Sequence, residues 1–101
     1  MRIFVMFDLP VGTESERKNY RLFRKYLIKS GFLMLQESVY CKMMTSPSME
    51  KSMKNMVHNN KPPKGLIQTI TITEKQFVKM DYIVGEYTSD IIDSEERLII
   101  L

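Results

Sequence analysis

Asp8 closes an apolar run, RIFVMFD, that otherwise reads as a strand buried on both faces. A carboxylate in such a place has two plausible uses. One is metal ligation, since Mg²⁺ prefers carboxylate oxygens at about 2.0–2.1 Å, keeps several waters, and binds through one or two carboxylates together with phosphate. The other is structural, with the side chain accepting hydrogen bonds from the turn that runs from Pro10 to Thr13. A second group of chemistry-bearing residues is cationic. At about 100° per residue, Arg17, Lys18, Arg21, Arg24, Lys25 and Lys29 fall on one arc of a helix that no acid interrupts. Six like charges weaken each other's helix contributions. The arc is therefore either a solvated outer face or a surface for a polyanion, whose phosphates such residues would contact without reading sequence.

The remaining reactive side chains narrow the chemistry. Cys41 is the single cysteine, which excludes an internal disulfide framework and cannot complete a zinc site alone. It reads as a small buried hydrophobe. His58 has no second ligand at metal-binding spacing and reads as a solvent-edge residue. With one acid at the candidate centre and no nearby histidine as general base, a single copy is poorly equipped for hydrolysis.

The elements that must position these groups follow from periodicity and caps. In residues 3–8, Ile3, Val5 and Phe7 lie on one face and Phe4 and Met6 on the other, so both faces need cover. Pro10 and Gly12 end the strand. Thr13 through Glu16 then has the form of a capping box, predicting a helix from Glu14 to Ser30 that Gly31 stops. Tyr20, Leu22, Phe23, Tyr26 and Leu27 are its expected inner side. Residues 32–36 and 39–43 read as a hairpin around Glu37-Ser38.

Ser46 followed by Pro47 opens a second helix with Met49, Met53, Met56 and Val57 as a core stripe. It stops before Pro62-Pro63, and Lys51, Lys54, Lys61 and Lys64 lie on or just beyond it. Residues 66–73 are β-branched and read as a strand. A short helix is expected over 74–83, with Phe77, Met80 and Ile83 at helical spacing. An acidic segment over 85–96 leads to a last strand at Arg97–Leu101.

At 101 residues, 44% hydrophobic and 27% charged, the chain is expected to form one domain, 1–101. It has no apolar stretch of about 18 residues and no leader, so a cytoplasmic location without membrane contact is expected. Charge is uneven: residues 1–73 hold 12 Lys/Arg against 5 Asp/Glu, and residues 74–101 hold 3 against 7. The basic part suits polyanions and the acidic tail does not.

The order strand, helix, strand, strand, helix, strand is the ferredoxin-like βαββαβ arrangement of an α+β domain, an antiparallel sheet with both helices on one face and here an additional C-terminal strand. The opposite face would be a large apolar patch in a monomer, so two copies are expected to stack their sheets as a homodimer.

The stretches RIFVMFDLP, ERKNYRLFRKYL, GFLMLQESVYCKM, TITEKQF and SEERLIIL together resemble the small CRISPR-associated protein Cas two family, in its type II-A form. The resemblance spans nearly the whole chain and is least distinctive over 44–64. It implies the same fold, a homodimer, exchange of the 97–101 strand onto the partner subunit, and work with the CRISPR integrase, Cas one, in capturing double-stranded DNA as new spacers. It also implies that Asp8 and its symmetry mate bracket Mg²⁺, or Mn²⁺ in its place, near the dimer axis. Two functions are then open. One is a DNA-binding scaffold bridging integrase dimers through residues such as Arg17, Lys18, Arg21 and Lys25. The other is a metal-dependent endonuclease, acting on RNA or on double-stranded DNA, with Asp8 as its catalytic residue. A sequence-tolerant RNA-binding module is weaker, because no separate set of exposed stacking aromatics is evident.

Overall fold

β1, Arg2–Asp8, becomes the central strand because its apolar side chains alternate between two faces that both find cover. The computed structural model describes residues 1–85. Within them β1 is followed by α1 (Glu14–Lys29), the hairpin β2 (Leu33–Gln36) and β3 (Val39–Met43), α2 (Pro47–Asn59), β4 (Leu66–Ile72) and α3 (Glu74–Val78). The sheet order is β2-β3-β1-β4 with every pair antiparallel, which is the expected ferredoxin-like α+β arrangement. The register places Val5 opposite Tyr40 on one side and Thr69 on the other. The acidic segment beyond residue 85 and the strand expected at Arg97–Leu101 lie outside the described residues. No helix among the described residues is long and apolar enough to cross a membrane.

The main core lies between the sheet and the α1/α2 layer. Ile3, Val5, Phe7 and Leu9 from the first strand and its exit meet Phe23 and Leu27 of α1, Tyr40 of β3 and Val57 of α2. Phe7 is the aromatic hub, with ring centroids 5.2 Å from Phe23, 5.7 Å from Tyr40 and 6.0 Å from Tyr20. On the opposite face Phe4 and Cys41 pack with Phe77 of α3. Arg2 holds that short helix in place. Its Nε donates to the Glu74 carboxylate at 2.9 Å, and its guanidinium lies 4.0 Å from the centre of the Phe77 ring.

The caps form as the sequence predicts. Thr13 and Glu16 make both bonds of the capping box, and Ser46 accepts from the Met49 amide with Pro47 at the first helical position. Lys42 donates to the Ser30 carbonyl at 2.5 Å, so a β3 cation satisfies the C-terminal end of α1.

Five side chains depart from expectation. Leu22 is 54% exposed, because at about 100° per residue it shares the arc of Lys18, Lys25 and Lys29 and sits about 140° from Leu27. Met56 is exposed at the edge of the α2 stripe, whereas Met49 and Met53 pack on the core. The helix expected over 74–83 is a single turn, Glu74–Val78, in which only Phe77 finds a cavity to fill. Met80 and Ile83 are exposed. Thr73, expected to end a strand, instead caps that turn.

Gly65 fixes where β4 meets β1. Its φ is +111°, and a Cβ there would lie 2.6 Å from Leu9 Cδ2 and 2.9 Å from the Asp8 carbonyl oxygen. Gly65→Ala should therefore lower unfolding free energy by about 2–4 kcal/mol, read from denaturant midpoints, through backbone strain and overpacking together. An unchanged midpoint would contradict this close approach. Cys41 is buried as expected, and burial pushes its thiol pKa up. A raised pKa keeps the group protonated at pH 7–8, so a thiol reagent should label Cys41 there only after denaturant is added.

Candidate functional site

The aromatic contacts around Phe7 immobilise the end of β1, and the next residue is Asp8. By alternation Asp8 leaves the helix-covered face and joins Arg2, Phe4 and Met6 on the other one. It is exposed, opposite Leu66 of β4 in the register. Its carboxylate has no hydrogen-bond or ion-pair partner among the described residues. The turn does not use it: the Thr13 amide is taken by Glu16 Oε1 at 3.0 Å, and the Val11 and Gly12 carbonyls accept from Arg17 Nη1. The structural use weighed above, a carboxylate bonded to the turn between Pro10 and Thr13, is thus not realised.

The donor set fits a hard divalent cation as half of a site. Asp8 offers free carboxylate oxygens, the atoms such an ion prefers, but no cluster of three or more His, Cys, Asp or Glu side chains exists among the described residues. Among the described residues no further ligand stands beside it, and phosphate, water or a second copy of Asp8 are sources that would complete the shell. The face carrying Asp8 is the one that would meet a second copy. It exposes Leu66, Ile70 and Met43, each at least half accessible, and α3 covers only the end near Phe4.

The cations lie elsewhere. Arg17, Lys18, Arg21, Arg24, Lys25 and Lys29 are all exposed on α1, across the sheet from Asp8. They are not equivalent. Arg17 is partly engaged in the loop, with other guanidinium N–H groups still available. Arg24 Nε donates to the buried Tyr40 hydroxyl at 2.8 Å, tying α1 to β3; burial pushes that hydroxyl's pKa up and Arg24 partly offsets the effect. Lys18, Arg21, Lys25 and Lys29 have no partner among the described residues. With Leu22 they form a convex outer stripe opposite Phe23 and Leu27.

A second cationic feature arises only from tertiary packing. Where α2 ends against the start of β4, Lys54, His58, Lys61 and Lys64 rim a cleft of about 440 Å³. The sequence shows these cations on or beyond α2, but it does not show that β4 returns alongside to make a concavity. The structure thus keeps Asp8 and the α1 stripe on opposite sides of the sheet and assembles no single-copy site from both.

Comparison with known proteins agrees with this architecture. Residues 1–80 match the family described as CRISPR associated protein Cas2. A protein named CRISPR-associated endoribonuclease Cas2 from Treponema denticola is 48% identical over 101 residues, the full length of both chains. One of the same name from Streptococcus mutans is 46% identical over all of this chain and 93% of its own. Among solved structures, the crystal structure of Streptococcus pyogenes Cas2 at pH 6.5 superposes with a TM-score of 0.64 at 19% identity, covering 83% of this chain and 100% of that one. That likeness supports the fold, while the sequence matches establish the lineage: the chain belongs to the CRISPR associated protein Cas2 family.

Proposed function

We propose that this protein acts in CRISPR adaptation as a dimeric scaffold that bridges Cas one integrase dimers and carries double-stranded DNA along α1. The observation that carries this reading is the outer stripe of Lys18, Arg21, Lys25 and Lys29, which is convex, exposed and without partners among the described residues. Such a surface favours phosphates by charge and counterion release and reads no bases. The apolar sheet face gives a second copy something to bury. In the same reading the whole of 1–101 is one domain whose last strand, 97–101, is exchanged onto that copy, and the protein works in the cytoplasm.

The second reading, a metal-dependent endoribonuclease, is supported by the Asp8 carboxylate, which has no partner among the described residues, and by the name of the Treponema denticola relative. Asp8 would hold Mg²⁺ or Mn²⁺ from the end of a rigid strand, with the partner's Asp8 as the natural second donor. A cation there would supply Lewis-acid polarisation of a phosphodiester. The chain's own contribution is the carboxylate and its fixed position. No imidazole hydrogen-bonds Asp8 to move a proton.

Two measurements test these readings. Replacing Lys18, Arg21 and Lys25 with Ala should weaken duplex binding for unrelated sequences and flatten the salt dependence by about 3 per protomer. Unchanged affinity and slope would return the stripe to a solvated surface. Asp8→Asn should unfold within about 0.5 kcal/mol of the parent, because the carboxylate bonds nothing in the fold. It should keep DNA binding and spacer integration with Cas one, and lose Mn²⁺ binding followed by paramagnetic resonance together with any metal-dependent cleavage. Loss of integration by a folded, integrase-bound variant would overturn the scaffold reading.

A further inference from the structure

The cleft between α2 and β4 differs in shape and lining from the α1 stripe. Lys54, His58, Lys61 and Lys64 stand around it, Val57 and Ile67 form its apolar floor, and among the described residues no carboxylate lines it. Lys54 is shared with Glu50 at 3.4 Å, and Lys61 Nζ donates to the His58 carbonyl at 3.1 Å, which holds that ammonium at the rim. Lys64 has no partner among the described residues. Its position is set by the next residue, Gly65, whose backbone packs directly on Leu9 and Asp8.

We propose that this cleft binds an unpaired nucleic-acid strand, its phosphodiesters on Lys61 and Lys64 and a sugar or base face on the apolar floor. Three features select this occupant. A concavity of 440 Å³ has the volume of a small-molecule site, so it admits a nucleotide and not the side of a duplex. Among the described residues only Lys54 of its cations is shared with an acid, so Lys61 and Lys64 favour phosphate. Pro62 and Pro63 leave one wall without backbone N–H groups, which an acidic peptide would need for main-chain pairing and a sugar or base face does not.

This assignment rests on the reading of the protein as nucleic-acid-binding, and the test separates the two. Fluorescence anisotropy across a salt series would follow labelled oligothymidylate, oligouridylate and a blunt duplex. The proteins compared are the parent, a Lys61→Gln/Lys64→Gln variant, a Lys61→Arg/Lys64→Arg variant, and the Lys18, Arg21 and Lys25 to Ala variant. All the altered side chains are exposed, and thermal unfolding checks that each variant is folded.

The Gln variant should lose single-strand affinity about tenfold at low salt and flatten the salt slope by about 1.4, two phosphates at about 0.7 each. Its blunt-duplex binding should stay within about twofold, and the Arg variant should bind as the parent does. Greater loss with oligothymidylate or with oligouridylate supports the site and identifies the strand as DNA or RNA. Unchanged single-strand affinity and slope in the Gln variant, while the α1 variant still loses duplex, overturns the cleft and leaves the scaffold reading standing. No effect of either variant overturns both. Competition by polyglutamate that the Gln variant abolishes, with single strands unaffected, overturns the occupant in favour of an acidic protein.

Discussion

A strand that is apolar on both faces and hydrogen-bonded on both edges cannot be left at the margin of a fold. β1 is such a strand, pairing with β3 along one edge and with β4 along the other. Once it is central, α1 and α2 must share the face of Ile3, Val5 and Phe7, and the face of Phe4 must find other cover. Phe77 covers one end of that second face. Met43, Leu66 and Ile70 remain exposed along the rest of the described surface. The same alternation that buries Phe7 delivers Asp8 to the uncovered side, so the position of the carboxylate follows from the parity of an apolar strand.

The sheet then separates two chemistries. Among the described residues a carboxylate without a partner lies on one face, and cations without partners lie on the outer side of α1 across the sheet. A carboxylate and cations gathered in one pocket would neutralise one another. Held apart, each keeps its charge available, the acid for a cation and the helix surface for a polyanion. Arg17 and Arg24 show what proximity does instead: one joins the loop after β1 and the other the Tyr40 hydroxyl, and both serve the fold.

What the sequence made legible was largely local. Thr13 with Glu16, Ser46 with Pro47, and the Glu37-Ser38 hairpin depend on neighbours a few residues away, and each forms as read. The alternation in β1 separates Ile3, Val5 and Phe7 from Phe4 as read, and the element order puts both helices on one face of the sheet. The misreadings involve distance and direction. Hydrophobicity groups Leu22 with the core although its angle carries it outward, and the helix expected over 74–83 has inward spacing that nothing among the described residues receives at Met80 or Ile83. Asp8 is plain in the sequence, but its freedom from the turn is a property of the packed loop, where Glu16 and Arg17 occupy the groups that a turn-bonded carboxylate would use. The α2/β4 cleft depends on residues far apart in the chain packing side by side, which no local pattern encodes.

The pairing of Arg2 with Ile72 has a consequence for the order of events during synthesis. The strand on which the whole sheet is built leaves the ribosome first, yet one of its edges stays open until the last residues of β4 have followed. α1 and the β2–β3 hairpin can form meanwhile, since their contacts are local. Until β4 arrives, however, the nascent chain carries an apolar strand with an unsatisfied row of amides and carbonyls. That open edge closes only when residues 66–72 emerge and pair along β1, so the hazard to the nascent chain lasts through most of its synthesis.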